Sequence, residues 1–204
     1  MNTLIVIPAR YASSRFPGKP LAKIGGIAML ERTADIARAV GPYVVATDDT
    51  RIEEFCKDRD IPVLITDPAL PSGSDRAKVA ADLFDPEADI IVNLQGDAPF
   101  TPPAYIQSCL DALAKDEAAD IATPVVPLSW EALDVLRDAK KTTPFSGTCA
   151  VVGEDGRAHW FSKNIVPALR KEEALRAESK TSPILQHVGL YAFRKAALDR
   201  YVTL

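Results

Sequence analysis

Short apolar runs rich in β-branched residues recur along this chain, and amphipathic helical patterns separate them. The runs fall at residues 3–7, 43–47, 63–65, 90–94 and 121–126. Helical patterns are predicted at 28–40, 51–59, 75–84, 103–114 and 130–136, the first turning Met29, Ala34, Ile36 and Val40 toward a sheet. Near-continuous apolar runs mark strands covered on both faces, and intervening helices return the chain for parallel pairing. The expected fold class is therefore α/β, a Rossmann-like, mostly parallel sheet with flanking helices. After about residue 140 the pattern changes. Strands are expected at 148–152 and 158–161 around the turn Glu154-Asp155-Gly156, a charged helix at 169–178 and a further strand at 187–193. This tail reads as an antiparallel carboxyl-terminal extension of the sheet, placed to cover a substrate.

At 204 residues the chain can bury a substantial core within one domain, 1–204, and no repeat or flexible linker interrupts it. A formal net charge of −4 argues against nucleic acid as a partner. No apolar run reaches the length of a membrane span, and the amino end lacks a signal peptide's basic start and long apolar core. No membrane partner is expected. Cys56, Cys109 and Cys149 are odd in number and widely spaced, without zinc-site spacing, and read as free thiols in a reducing cytoplasm.

The densest functional signal follows the first strand: Val6-Ile-Pro-Ala-Arg-Tyr-Ala-Ser-Ser-Arg-Phe-Pro-Gly-Lys-Pro20. Small and turn-forming residues at the carboxyl end of a strand let backbone N–H groups face an anion. Arg10, Arg15 and Lys19 stand among them, and three fixed cations there can neutralise a polyphosphate. The spacing is neither a Walker loop nor the dinucleotide-binding glycine pattern. A triphosphate site is the expectation.

Three further segments bear on chemistry. Gln95-Gly96-Asp97 follows the strand Ile90-Ile-Val-Asn-Leu94; Asp97 either caps the next helix or, beside the cationic loop, holds Mg²⁺ together with nucleotide phosphates. Ser72-Gly-Ser-Asp-Arg-Ala77 opens a helix, with Ser74 as N-cap. There the Ser72 hydroxyl, the Arg76 side chain and backbone N–H groups can meet a base or a phosphate. His187 and Tyr191, four apart on one expected strand, would share a face; they are either packed core side chains or donors to a sugar. Asp48 and Asp49 are read as carboxylates at a helix start rather than as a metal pair.

The stretch Pro-Ala-Arg-Tyr-Ala-Ser-x-Arg-x-Pro-Gly-Lys-Pro-Leu resembles the signature loop of the 3-deoxy-manno-octulosonate (Kdo) cytidylyltransferases, within the sugar nucleotidyltransferases. Ser72–Arg76, Gln95-Gly96-Asp97 and Gln186-His-Val-Gly-Leu-Tyr191 are similar to further motifs of that family. The resemblance implies a nucleotide-diphospho-sugar transferase type of sheet, CTP and the acidic sugar Kdo as substrates, Mg²⁺ as cofactor and CMP-Kdo with pyrophosphate as products. A cytoplasmic homodimer serving lipopolysaccharide biosynthesis is implied as well. It implies catalytic roles for Arg10, Arg15, Lys19 and Asp97, with Asp97 the metal ligand. Pro8, Ala9, Arg10, Ser14, Lys19, Ser72, Arg76 and Gln95 would meet the nucleotide; Arg15, Gln95, Lys163, His187 and Tyr191 would meet the sugar. Lys163, in Trp160-Phe-Ser-Lys163, stands where the family carries arginine, while Trp160 and Phe161 are read as packing residues.

Three departures accompany these matches. Ala98 follows Asp97 where the family usually has glutamate. Phe145-Ser-Gly-Thr-Cys-Ala150 replaces an asparagine- and lysine-bearing segment, and a later helix and aspartate that family members use for sugar and Mg²⁺ lie beyond Leu204. A related acceptor, 8-amino-Kdo or a nonulosonic acid, and a non-catalytic nucleotide- or sugar-binding relative are the alternatives these departures leave open.

Overall fold

The computed structural model describes residues 1–12 and 16–204. The chain divides into two compact units, Met1–Ala122 with Gly189–Leu204, and Thr123–Val188.

The larger unit is built on β1 (Thr3–Ala9), a hairpin of β2 (Lys23–Ile24) and β3 (Ile27–Ala28), α1 (Met29–Arg38), β4 (Tyr43–Thr47), α2 (Thr50–Lys57), β5 (Val63–Ile65), α3 (Gly73–Phe84), β6 (Ile90–Leu94), α4 (Pro103–Lys115) and β7 (Ile121–Ala122). Strands β5, β4, β1 and β6 pair in parallel, with Ile5 opposite Tyr43 on one side of β1 and Val6 opposite Asn93 on the other. Leu4, Ile5, Val6 and Ile7 are all fully buried, as a strand covered on both faces requires. Removing each such side chain from water contributes about 1.5–3 kcal/mol.

From β1 the chain steps outward through β4 to β5, then α3 carries it back to β6 on the opposite side of β1. Strand order therefore reverses at β1, and the connections that leave the carboxyl ends of β1 and β4 on one side and β6 on the other run in opposite directions across the sheet. Open α/β sheets bind ligands in the crevice at such a switch point.

The smaller unit holds β8 (Val125–Ser129), α5 (Trp130–Thr142), β9 (Cys149–Val152), β10 (Ala158–Ser162), α6 (Glu172–Glu178) and β11 (Thr181–His187). Its strands form an antiparallel sheet in the order β10-β9-β11-β8, over a core of Leu128, Trp130, Leu133, Cys149 and Ile184. Arg137 and Arg176 clamp Glu172, which fixes α6 beside α5 and holds that carboxyl down at about 2. The chain then returns to the larger unit as β12 (Leu190–Arg194), antiparallel to β6 and bordered by β7, and ends in α7 (Lys195–Tyr201).

The α/β class and mostly parallel sheet agree with the expectation; several local features do not. The run at 121–126 breaks into β7 and β8 around Pro124, which has no N–H for a ladder. The run at 187–193 breaks at Val188-Gly189, so the tail forms a sheet of its own and only β12 rejoins the first sheet. Helix α1 buries Leu30, Thr33, Ala34 and Ala37. Of the four positions expected to face the sheet, Met29, Ile36 and Val40 flank that stripe half-buried. The three cysteines are free and buried, and burial pushes the Cys56 thiol up to about 12 and Cys109 to about 11. Among the described residues no helix is long and apolar enough to cross a membrane.

Candidate active site

At the switch point of the larger unit lies a cleft of about 480 Å³. Its floor is the meeting of two strand ends. The Gly96 N–H donates to the Pro8 carbonyl at 3.3 Å, and a Cβ at position 96 would sit 2.9 Å from that oxygen. Only glycine lets the segment after β6 lie this close to β1. Thr33 of α1 supports the same segment from below, its hydroxyl 3.5 Å from the Gly96 carbonyl oxygen.

Pro8, Ala9 and Arg10 enter the cleft from the end of β1, and Gln95, Gly96 and Asp97 from the end of β6. The Lys19–Leu21 turn supplies Lys19 and Pro20, joined by Phe16. Gly18, just before that turn, has φ 72°, its N–H donates to the Tyr11 carbonyl at 2.9 Å, and the Tyr11 ring lies 3.1 Å from where a Cβ would project. The Arg51 guanidinium, paired with Asp49 at 2.6 Å, stacks 3.4 Å over the Tyr11 ring. This packing aims Lys19 into the cleft, where its ammonium sits 2.6 Å from Asp97 with both side chains well solvated.

The third wall is the start of α3. Ser72, not Ser74, is the N-cap: its Oγ accepts from the N–H groups of Ser74 (3.1 Å) and Asp75 (3.2 Å), so the helix starts two residues earlier than the pattern predicts. Ser72 and Gly73 line the cleft with Pro71, and the end of α3 presents the positive pole of its dipole there. Buried Asn93 ties this wall to the floor, accepting from Gln95 Nε2 at 3.0 Å and donating to Ser74 Oγ at 3.3 Å.

The structure thus brings together Pro8, Ala9, Arg10, Lys19, Ser72, Gln95 and Asp97 of the residues singled out in the sequence. Ser14 and Arg15 lie outside the described residues. Arg76, expected among the nucleotide contacts, has a side chain that is 0 % exposed, is not part of the cleft lining and pairs with Asp48 at 2.8 Å. Asp49 caps α2 through the Arg51 N–H as expected, whereas Asp48 serves this buried pair. Phe16, Pro20, Pro71 and Asn93 are participants the sequence reading missed; for Asn93, a lone asparagine inside the run Ile90–Leu94 was the available signal.

A cleft with cations on one wall, a capped helix start on another and a carboxylate between them suits a metal-complexed polyphosphate. The Cytidylyltransferase family profile matches residues 4–204. The 3-deoxy-manno-octulosonate cytidylyltransferase of Maricaulis maris is 41 % identical over 100 % of this chain and 78 % of its own length. The chain belongs to the Kdo cytidylyltransferase family. A second Kdo cytidylyltransferase, from Paraburkholderia phytofirmans, is 39 % identical over 96 % of this chain and 73 % of its own length. The solved structure of CMP:2-keto-3-deoxy-manno-octonic acid synthetase complexed with CTP superposes with a TM-score of 0.83 at 34 % identity, covering 100 % of this chain and 78 % of that one.

The positions this Kdo cytidylyltransferase family member was expected to use for the sugar are distributed differently from the sequence reading. His187 and Tyr191 do not share a strand face: His187 ends β11 in the smaller unit, and Tyr191 lies on β12 in the larger, opposite Asn93. Tyr191 packs against the core cluster of Leu4, Val6 and Phe193. In the smaller unit His187 Nε2 lies 2.8 Å from Thr123 Oγ1 with the Phe161 ring edge-on at 5.1 Å, and Lys163 donates to Thr148 Oγ1 at 2.8 Å.

Burial, and then the Lys163 charge, lower the His187 pKa below its ordinary 6.5. A base whose folded pKa is depressed is neutral in the native state, so its contribution is complete above about 6.5 and is lost as pH falls through the lowered folded value. The parent protein is therefore expected to lose thermal stability between pH 6.5 and 5 more steeply than His187→Gln. Parallel slopes in a pH series of melting curves would remove His187 from that account.

Proposed function

We propose that this protein transfers CMP from CTP to the anomeric hydroxyl of 3-deoxy-D-manno-octulosonate, giving CMP-Kdo and pyrophosphate. The observation that carries the nucleotide half is the convergence of Arg10, Lys19, Asp97 and the capped start of α3 on one cleft at the sheet's switch point. The acceptor is supported by the names of relatives that align along the whole chain.

The sugar hydroxyl attacks the α-phosphorus in line with the departing pyrophosphate. Such transfers depend on positioning and charge neutralisation rather than on a covalent nucleophile. Arg10 and Lys19 take up the charge of the phosphate chain, and Lys19 exchanges its Asp97 partner for a phosphate oxygen as the nucleotide enters. Backbone N–H groups at the start of α3 and the Gln95 amide orient the substrate from the other walls. Arg15 and Ser14 belong to the same loop and are assigned to phosphate and sugar by resemblance.

Among the described residues no cluster of three or more His, Cys, Asp or Glu side chains forms a metal cage. Asp97, a half-exposed carboxylate within the cleft, fits Mg²⁺, which keeps several waters and takes one or two carboxylates plus substrate phosphates. Held at Asp97, the ion supplies further neutralisation of the phosphate oxygens. A cytoplasmic homodimer working in lipopolysaccharide biosynthesis completes the reading, from the family resemblance.

Pyrophosphate release measured with CTP, UTP and ATP against Kdo, 8-amino-Kdo and a nonulosonic acid tests the proposal. Release with CTP and Kdo at least about tenfold faster than with any other pairing is expected, tenfold in kcat/KM being about 1.4 kcal/mol of transition-state discrimination. Turnover confined to another acid would reassign the acceptor, and saturable CTP binding without release on any acceptor would leave a binding protein.

A further inference from the structure

Arg76 belongs to the motif that opens α3 yet does not line the cleft, and its burial needs a reason. The guanidinium donates to Asp48 at 2.8 Å and, through its other terminal nitrogen, to the Thr66 hydroxyl. Among the described residues its Nε has no hydrogen-bond partner. Burial lowers its pKa, Asp48 works in the opposite direction, and the nearby charge of Arg10 lowers it again. Buried charges with incomplete partners seldom add net stability over apolar replacements, so a packing role accounts poorly for this one.

Its partners show what it holds. Asp48 directly follows β4 and Thr66 directly follows β5, so the guanidinium ties α3 to the carboxyl ends of two strands. Thr66 is fixed a second time, its N–H and hydroxyl both reaching the Thr47 carbonyl at 2.8 and 3.1 Å. Segment 66–72 leaves from this anchor, is gripped near its far end where Arg10 donates to the Leu70 carbonyl, and delivers Pro71 and Ser72 to the cleft. The Arg76 N–H closes the loop by donating to the Ser72 carbonyl at 3.2 Å.

We propose that Arg76 is a positioning residue for nucleotide binding. Through Asp48 and Thr66 it fixes segment 66–72, and with it the Pro71–Ser72 wall against which the nucleotide lies. This assignment rests on the CTP reading above. It makes the pair Asp48–Arg76 a determinant of CTP affinity, although neither residue lines the cleft.

The test compares the parent with Arg76→Lys, Asp48→Asn, Arg76→Met and the double variant Arg76→Met/Asp48→Asn, reading melting temperature, CTP binding by calorimetry, and the kinetic parameters for CTP. Asp48→Asn leaves a buried guanidinium without its counter-charge, whereas the double variant removes both charges and should regain most of the lost stability. Displacement of a binding wall is expected to raise KM for CTP about tenfold in both, with kcat within about threefold of the parent. Arg76→Lys, which keeps a charge for Asp48 but loses the planar fork, should fall between.

A double variant with parental stability and parental CTP affinity would overturn the proposal, since the pair would then serve the fold alone. Unchanged CTP affinity in a folded Asp48→Asn protein would overturn it too, pointing instead to direct contact by Arg76. Should the Arg76→Met proteins not fold, Arg76→Lys and Asp48→Asn decide by the same ratio of KM to kcat. Absence of CTP uptake by the parent itself would instead sink the nucleotide reading on which the assignment rests.

Discussion

Lys19→Met is expected to lower kcat/KM for CMP transfer by about 10²–10³, the usual effect of removing one group aimed at developing charge, while barely changing stability. Among the described residues Lys19 makes one ion pair, with Asp97, and both side chains are at least a third exposed. Exposed pairs contribute about 0–1 kcal/mol, which in a chain of this size moves the melting temperature by at most about 2–4 °C. With the nucleotide bound as proposed, the same ammonium would face a triphosphate in a cleft walled by Pro8, Pro20 and Pro71, where solvent would screen it less. Pyrophosphate release and differential scanning fluorimetry on the same preparation separate the two quantities. A variant with near-parental turnover would take Lys19 out of the reaction, and a collapse in melting temperature would show the residue to be structural.

Gly96→Ala is expected to fail in the opposite way, by damaging the fold and the site together. The added methyl would meet the Pro8 carbonyl oxygen at 2.9 Å, with Ala9 Cβ 3.4 Å away on the same side. The obstacle is backbone of the central strand β1, so no side chain can rotate aside. Overpacking of this kind costs about 1–3 kcal/mol, or a loss of up to about 12 °C in melting temperature. Relief requires the Gln95–Asp97 segment to lift off β1, which moves Asp97 away from Lys19 and Arg10. CTP affinity should therefore fall about tenfold or more even at temperatures where the variant is fully folded. Calorimetry well below the melting transition checks this; parental affinity there would mean that the floor of the cleft tolerates displacement.

Particular residues show how far the sequence could be read. The boundaries of β4 and β6 follow from their apolar runs alone, because a strand sealed on both faces tolerates little else, and the short apolar run of the edge strand β5 marks it as well. The cleft residues Arg10, Lys19, Ser72 and Asp97 could be picked out because each stands directly beyond a strand or at a helix start, where turn chemistry leaves a local mark. Arg76 could not be placed that way. Its spacing from Ser72 is the same whether the guanidinium points into the cleft or beneath it, and only the positions of Asp48 and Thr66, 28 and 10 residues away in sequence, settle the direction. His187 and Tyr191 failed for a related reason: period-2 reasoning assumes one unbroken strand, and Val188-Gly189 ends one sheet and begins the approach to another.

The order of residues alone determined an α/β chain whose first strand feeds a cation-bearing turn, since strand burial and turn chemistry act over a few neighbouring positions. Which of the polar side chains meet in the cleft and which lie under it was decided by the tertiary structure. The switch in strand order at β1 brings together segments separated by nearly ninety residues, from Pro8 to Asp97, and contacts at that range leave no periodic trace in the sequence.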